Sequence, residues 1–463
     1  MTGSNYNKFI DLRKKFREFI FESFDYSIEE DKLTIKFHFS INNTYHFYPK
    51  LTYFVNSKLY SGNLPDKLLK NAVFNIGMIE LVSYWKATCS PIIHIKPYKL
   101  NNDQIAFWKK IYFNGLGEFL YTNKIQIRQE ELFDFTFSNE SSPTPSPESI
   151  KTDNSNIIPI GGGKDSIVTL ELLKNSNNIA LVVNQRGATR EVLDTANFNE
   201  ANIVEIERKI DPMLITLNDM GFLNGHTPFS ALLAFVCSLA AIITNKKNIA
   251  LSNEASANEA TIPGTKINHQ YSKSFEFEQD FRSYYNKHIT ASINYYSFLR
   301  PLNELQIAAI FSELKDYHKD FKSCNVGSKS DIWCCNCSKC LFTYIILAPF
   351  IKHDELVNIF GENLFENEML KTYLEQLTAH ADEKPFECVG TTDEVNAALN
   401  FIVDNYDKAL PVLLKHYKNE ISPNTPIKKD IKDFLSEFDK HHFLDKDKET
   451  LIREAIVGLG LKI

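Results

Sequence analysis

The run Ile157-Ile158-Pro159-Ile160-Gly161-Gly162-Gly163-Lys164-Asp165-Ser166 constrains this chain more than any other segment. A short apolar run, three glycines and a helix-compatible stretch follow one another without a break. Glycine permits backbone angles that a side chain forbids. Successive N–H groups can then converge on an anion, and the following helix N-terminus adds its positive dipole end. The spacing is not a Walker A loop, because Asp165 follows Lys164 where Ser or Thr is required. It is not G-x-G-x-x-G either, since the sixth position is Ser166. A plain strand-to-helix turn without a ligand is the structural alternative.

The surrounding pattern repeats strand, turn and helix. Short apolar runs at 156–160, 179–184, 203–206 and 249–251 alternate with helical spacing at 165–174, 189–197 and 226–244. This predicts an α/β fold with a doubly wound parallel sheet, whose ligands bind beyond the carboxyl ends of the strands. Residues 1–137 read as an N-terminal α+β domain, with alternating strands at 31–40 and 45–55 and helical patterns at 65–85 and 103–121. Residues 138–155 are rich in Ser and Pro and read as a linker. The catalytic region is expected at 156–350. A helical C-terminal region follows over 351–463, with runs at 354–373, 392–413 and 428–444.

The length of 463 residues suits two to four domains at about 100–200 residues each. Lys and Arg total 51 against 58 Asp and Glu, a formal charge of -7. That disfavours a broad phosphate-tracking surface and argues against a nucleic-acid partner. The longest apolar stretch, 231–244, is too short to span a bilayer, and the N-terminus has no apolar signal core. A cytoplasmic protein without a membrane anchor is the expectation.

Several polar clusters fall near the predicted strand ends. Thr227 and Pro228 fit the cap and first position of the next helix, leaving His226 freer as ligand or proton carrier. The strand at 249–251 runs into Ser252-Asn253-Glu254-Ala255-Ser256-Ala257-Asn258-Glu259. Glu254 or Glu259 there could bind Mg²⁺ or abstract a proton, and Asn258 could contact substrate; a solvated loop is the alternative. His269 and Lys273 in Asn268–Ser274 suit an acidic substrate, as does Arg300 at the expected start of another helix. Each could equally sit in a surface turn.

Eight cysteines are not spread like a secreted disulfide framework. Cys324, Cys334, Cys337 and Cys340 supply four thiolates, enough for a tetrahedral Zn²⁺. A redox pair, an iron–sulfur cluster or packed thiols are the alternatives.

Gly161-Gly-Gly-Lys-Asp-Ser166 resembles the pyrophosphate loop of the ATP pyrophosphatase superfamily, usually S-G-G-x-D-S, with Gly161 standing for Ser. The resemblance implies ATP cleavage to AMP and pyrophosphate. Gly161, Gly162, Gly163 and Ser166 would grip pyrophosphate, and Asp165 would orient the loop or bind Mg²⁺. Lys164 would meet phosphate or a substrate carboxylate. Asn184 would lie where adenine sits, a strand cap being the other reading. The cysteine spacing is similar to the zinc site of 7-cyano-7-deazaguanine-forming members.

Together with GMIELVSYWKA (77–87), GLGEF (115–119), GHTPFSA (225–231) and WCCNCSKC (333–340), these segments resemble the UDP-N-acetylmuramoyl-L-alanyl-L-glutamate epimerase family of peptidoglycan synthesis over about residues 15–400. Where that family has Gly after the first cysteine, this chain has Cys335. The resemblance implies ATP-dependent inversion of the terminal glutamate through an acyl-adenylate, with the base among His226, Glu254, Glu259 and His269. It also implies a UDP-muramoyl dipeptide substrate and association with the ligase that supplies it; a substrate-holding role for the N-terminal domain is a separate expectation. A base- or RNA-modifying enzyme and a nucleotide-sensing module remain as rivals.

Overall fold

The computed structural model describes residues 4–459 except 57, 58, 60, 61, 63 and 427. Its strands are β1 (Glu18–Glu29), β2 (Lys32–Ile41), β3 (Tyr45–Phe47), β4 (Lys50–Val55), β5 (Ile92–Ile95), β6 (Asp134–Phe137), β7 (Asp153–Pro159), β8 (Asn178–Val183), β9 (Ile203–Lys209), β10 (Lys246–Leu251) and β11 (Asn294–Ser297). All belong to one sheet, ordered β11-β10-β7-β8-β9-β4-β2-β1-β5-β6, with β3 beside β2.

The expected parallel sheet is present as half of this larger one. Strands β11, β10, β7, β8 and β9 pair in parallel. In chain order this is 5-4-1-2-3, so the strand order reverses between β7 and β10. Ligands bind at such a switch point in open α/β sheets. The expectation of a wholly parallel sheet is corrected at β9, where β4 joins antiparallel with Tyr53 opposite Ile206. An uncovered β9 would be an open edge, and β4 removes it. The N-terminal strands therefore continue the same sheet.

Neighbouring residues on the parallel strands face opposite cores. Ile157, Leu181, Ile249 and Tyr295 join the core shared with the N-terminal helices. Ile158, Val182, Ala250 and Tyr296 join the core under the C-terminal helices. Burial on both faces is why these strands read as continuous apolar runs.

The Ser/Pro-rich stretch lies along this body. Asn71 donates to the Pro145 carbonyl at 3.0 Å. Ile150 packs on the core, and residues 153–155 already belong to β7. Two helix starts differ from expectation. The 226–244 helix spans Phe229–Ile243, with Pro228 at the cap and no side-chain capping bond from Thr227, because Phe229 N–H closes a tight turn onto the Thr227 carbonyl. The helix expected from Arg300 begins at Glu304, where Asn303 and Gln306 form a reciprocal cap. The long C-terminal runs break into shorter helices. Gly361, at φ +90°, ends His353–Phe360, and Pro411 precedes Val412–His416.

Candidate active site

The glycine turn sits at the switch point, between β7 and the Lys164–Leu172 helix. Gly162 adopts φ +82°, and a Cβ there would come within 3.3 Å of Thr189 N. Gly163 is the N-cap and offers no side-chain bond, so the first helical N–H groups face the cleft uncapped. A Cβ on Gly163 would meet Ser323 Oγ at 2.9 Å, whereas Gly161 faces open space. Ser166 Oγ donates to the Gly163 carbonyl at 3.0 Å.

This turn borders a cleft of about 320 Å³ lined by Gly161, Gly163, Asp165, Ser166, Arg186, Lys273, Lys322, Lys339 and Cys388, among others. The rim is cationic although the whole chain is acidic. Such a wall suits phosphate oxygens.

Lys164 does not face this space. It is buried and ion-paired with Asp165, at 2.5 Å, and with Glu304. Burial would raise the Asp165 carboxyl, but Lys164, Lys339 and Lys273 hold it below its ordinary value. Burial pushes Glu304 up to about 7, and it raises Glu254 and Glu394. Oxygens of Asp165, Glu254 and Glu304 lie within 4.8 Å of one another. Lys164 already bridges two of these carboxylates, so the cluster does not suit a resident Mg²⁺, and of the three Asp165 alone lines the cleft.

A second group gathers beside the cleft. His269 Nδ1 is 2.5 Å from Glu118 Oε2, and His226 Nδ1 is 3.4 Å from the same oxygen. The two imidazole rings are 4.5 Å apart. Burial and the charge of His269 push His226 down to about 4. Burial would lower His269 too, but Cys388 and Glu118 raise it to about 9. Lys273 Nζ is 3.1 Å from Cys388 Sγ. Burial would raise the Cys388 thiol, yet Lys273, His269 and Lys339 bring it down to about 6. Adjacent groups are thus driven to opposite protonation states.

The other expected residues have structural duties. Arg300 is fully buried and straps the backbone, donating to the Glu254 carbonyl at 2.6 Å and the Lys273 carbonyl at 2.5 Å while pairing with Glu278 at 3.1 Å. It has no face on the cleft. Asn258 accepts from Phe275 N–H at 2.8 Å. Glu259 is ion-paired with Lys384. Asn184, at φ +50°, bonds both main-chain groups of Arg208 and thereby ties the end of β8 to β9.

The thiolates of Cys324, Cys334, Cys337 and Cys340 converge within 4.8 Å of one another. A zinc tetrahedron with Zn–S of about 2.3 Å has sulfur–sulfur edges of about 3.8 Å. Cys334 and Cys340 are 3.8 Å apart. Gly327 N–H donates to Cys324 Sγ at 3.1 Å, so the donor set fits Zn²⁺. Cys335 turns away to the Phe360 carbonyl and adopts φ +52°, a conformation glycine takes without strain. This knuckle closes on the glycine turn: Lys322 N–H donates to the Gly162 carbonyl, and Asp331 accepts from Gly187 and Ala188 N–H.

Sequence reasoning missed Glu118, Glu304, Lys339 and Cys388 as site members. Glu118 and Lys339 stand inside quoted segments, but nothing local marks their partners. Cys388 lies far down the chain in a segment without periodicity.

Comparison with known proteins covers most of the chain. The MurL N-terminal domain family matches residues 11–298, and the MurL C-terminal domain family matches 320–432. A protein of Xanthomonas oryzae pv. oryzae named UDP-N-acetyl-alpha-D-muramoyl-L-alanyl-L-glutamate epimerase is 33% identical over 363 residues, 77% of this chain and 79% of the relative. Proteins of the same name from a Micromonospora strain and from Salinispora tropica are 32% and 33% identical, each over 70% of this chain and 72% and 71% of theirs.

Proposed function

Because the chain belongs to the MurL family, whose curated relatives are named UDP-N-acetyl-alpha-D-muramoyl-L-alanyl-L-glutamate epimerases, we propose that it is an isomerase of peptidoglycan-precursor synthesis. It inverts the terminal L-glutamate of that UDP-muramoyl dipeptide to D-glutamate, spending ATP through an acyl-adenylate. The observation that carries the ATP step is the glycine turn at the strand-order switch, with uncapped helix N–H groups facing a cationic cleft. We read the parallel half as an ATP pyrophosphatase-like unit on the same ground.

The chemistry requires activation. A proton α to a free carboxylate is very weakly acidic, because its carbanion would form beside a negative charge. Joining it to AMP as a mixed anhydride, with pyrophosphate leaving, removes that charge and leaves a carbonyl that can carry an enolate. Glycine-turn amides and Ser166 receive the pyrophosphate, Lys273 and Lys339 neutralise developing charge, and the Cys388–His269–Glu118 group lies where proton transfer can follow. Asp165 would hold a Mg²⁺ brought with ATP, which would offset phosphate charge. Cys324, Cys334, Cys337 and Cys340 would hold a structural Zn²⁺, which would fix the knuckle against the turn.

The substrate is a UDP-linked small molecule, so the enzyme works in the cytoplasm beside the ligase that adds L-glutamate. No described helix is long and apolar enough to cross a membrane. Supplying UDP-N-acetylmuramoyl-L-alanyl-L-glutamate with ATP is expected to yield AMP and pyrophosphate with D-glutamyl product. ADP in place of AMP would overturn the adenylation step.

A further inference from the structure

The segment Lys384–Gly390 comes from the C-terminal part of the chain and crosses the edge of the cleft. Lys384 N–H donates to the Thr261 carbonyl at 3.2 Å, and its ammonium holds the Gly390 carbonyl at 2.8 Å. Gln270 donates to the Val389 carbonyl at 3.1 Å, and Lys339 bonds the Cys388 carbonyl. A Cβ on Gly390 would meet Glu304 Cγ at 2.9 Å, so the backbone passes close to the buried carboxylates. Lys384, Cys388, Val389 and Gly390 are each held from the catalytic side.

Half-buried Cys388 lines the same cleft as Gly161, Gly163, Asp165 and Ser166. Its Sγ is 3.1 Å from Lys273 Nζ, and the neighbouring His269, which Glu118 orients from 2.5 Å, helps to hold the thiol low. A sulfur, an imidazole and a carboxylate in series, with an ammonium beside the sulfur, is an activated-thiolate arrangement.

We propose that Cys388 Sγ takes the glutamate α-proton of the adenylated substrate, with His269, Glu118 and Lys273 as positioning residues. This rests on the ATP-dependent epimerase reading above. The other basic candidates are placed less well. Glu254 is buried with a raised carboxyl, and Glu259 is committed to Lys384. His269 is held in its protonated form, and His226 is not among the residues lining the cleft. In the step, the Cα–H bond breaks, its proton passes to Sγ, and its electron pair moves toward the carbonyl to give an enolate. A proton from water closes the new bond on the opposite face. The thiol proton returns to solvent, so one substrate hydrogen is exchanged for one solvent hydrogen and charge is unchanged.

The test uses the full-length wild type with Cys388→Ser and Cys388→Ala. Substrate-dependent ATP–pyrophosphate exchange and deuterium entry at the glutamyl α-carbon are followed together. Pyrophosphate exchange should fall far less than deuterium entry in both variants, and an unchanged melting curve reports that they are folded. Deuterium entry should fall by about 100-fold or more, the usual contribution of a positioned base. Wild-type deuterium entry in both variants overturns the assignment. Loss of both activities with an unchanged melting curve also overturns it, by moving Cys388 into adenylation. Wild-type deuterium entry without pyrophosphate exchange would sink the adenylation reading instead, and the variants' deuterium rates would still judge Cys388. If the wild type performs neither exchange, both proposals fall.

Discussion

Arg208 and Glu80 form a two-pronged ion pair, Nε to Oε2 and Nη2 to Oε1, both at 2.9 Å. Glu80 lies on the Asp66–Trp85 helix and Arg208 on β9, so the pair bolts the N-terminal region to the last parallel strand. Glu80 is fully buried and Arg208 nearly so, at 16% exposure. Glu80→Ala would strand a buried guanidinium, at a cost of about 3–5 kcal/mol. Urea unfolding should show that loss in a single transition covering both halves. An unchanged midpoint, or two separate transitions, would contradict a shared body.

The glycine turn makes opposite predictions at adjacent positions. Gly162→Ala forces a side chain into the left-handed region, at about 1–2 kcal/mol, and crowds Thr189 N. ATP-dependent turnover should fall by about tenfold or more if the turn must tighten onto pyrophosphate. Gly161→Ser meets open space and should leave stability intact. Steady-state kinetics should show it with an equal or lower KM for ATP, because the added hydroxyl can reach phosphate.

The strands flanking this turn were legible in the sequence because both their faces are buried, which leaves unbroken apolar runs. β1, β5, β6 and β11 went unseen. β1 pairs with β2 from Phe19 to Glu29 across a bulge at Glu22, and its positions over Glu22–Ser27 are only half-buried or exposed, so no apolar run marks it. β11 is four residues long and carries Tyr295 and Tyr296 to opposite cores. The joining of β4 to β9 is a pairing between residues some 150 apart, and no local pattern encodes it. Site residues were legible where a motif places them against the backbone, as in the glycine turn and cysteine knuckle. They were misjudged where a charged side chain serves the interior: Arg300 looks like a ligand clamp in sequence and is a backbone strap in space.

The cysteine knuckle should hold one Zn²⁺ per chain by elemental analysis. Cys337→Ala should lose the metal and lower the melting temperature, because the knuckle then loosens from Gly162. Cys335→Gly should keep the metal, since Cys335 lies outside the converging set and its backbone conformation suits glycine. Metal loss in Cys335→Gly, or none in Cys337→Ala, would contradict the ligand set.

Cys388 should behave as a thiolate at neutral pH. Its folded value, about 6, lies below the ordinary thiol value of 9 because Lys273, His269 and Lys339 outweigh burial. The thiolate pairing therefore stabilises the fold fully above the ordinary value and is lost as pH falls through about 6. The pH profile of iodoacetamide alkylation, mapped to Cys388 by peptide mass spectrometry, should have its midpoint near 6. A midpoint near the ordinary thiol value would contradict the pairing.

The central claim is that ATP makes the glutamate α-carbon acidic. Proton NMR of UDP-N-acetylmuramoyl-L-alanyl-L-glutamate in heavy water with the wild-type enzyme tests it most directly. With ATP the glutamyl α-proton signal should disappear as D-glutamyl product forms, and without ATP it should persist. Product that keeps its α-proton, or exchange that proceeds equally without ATP, would contradict the account.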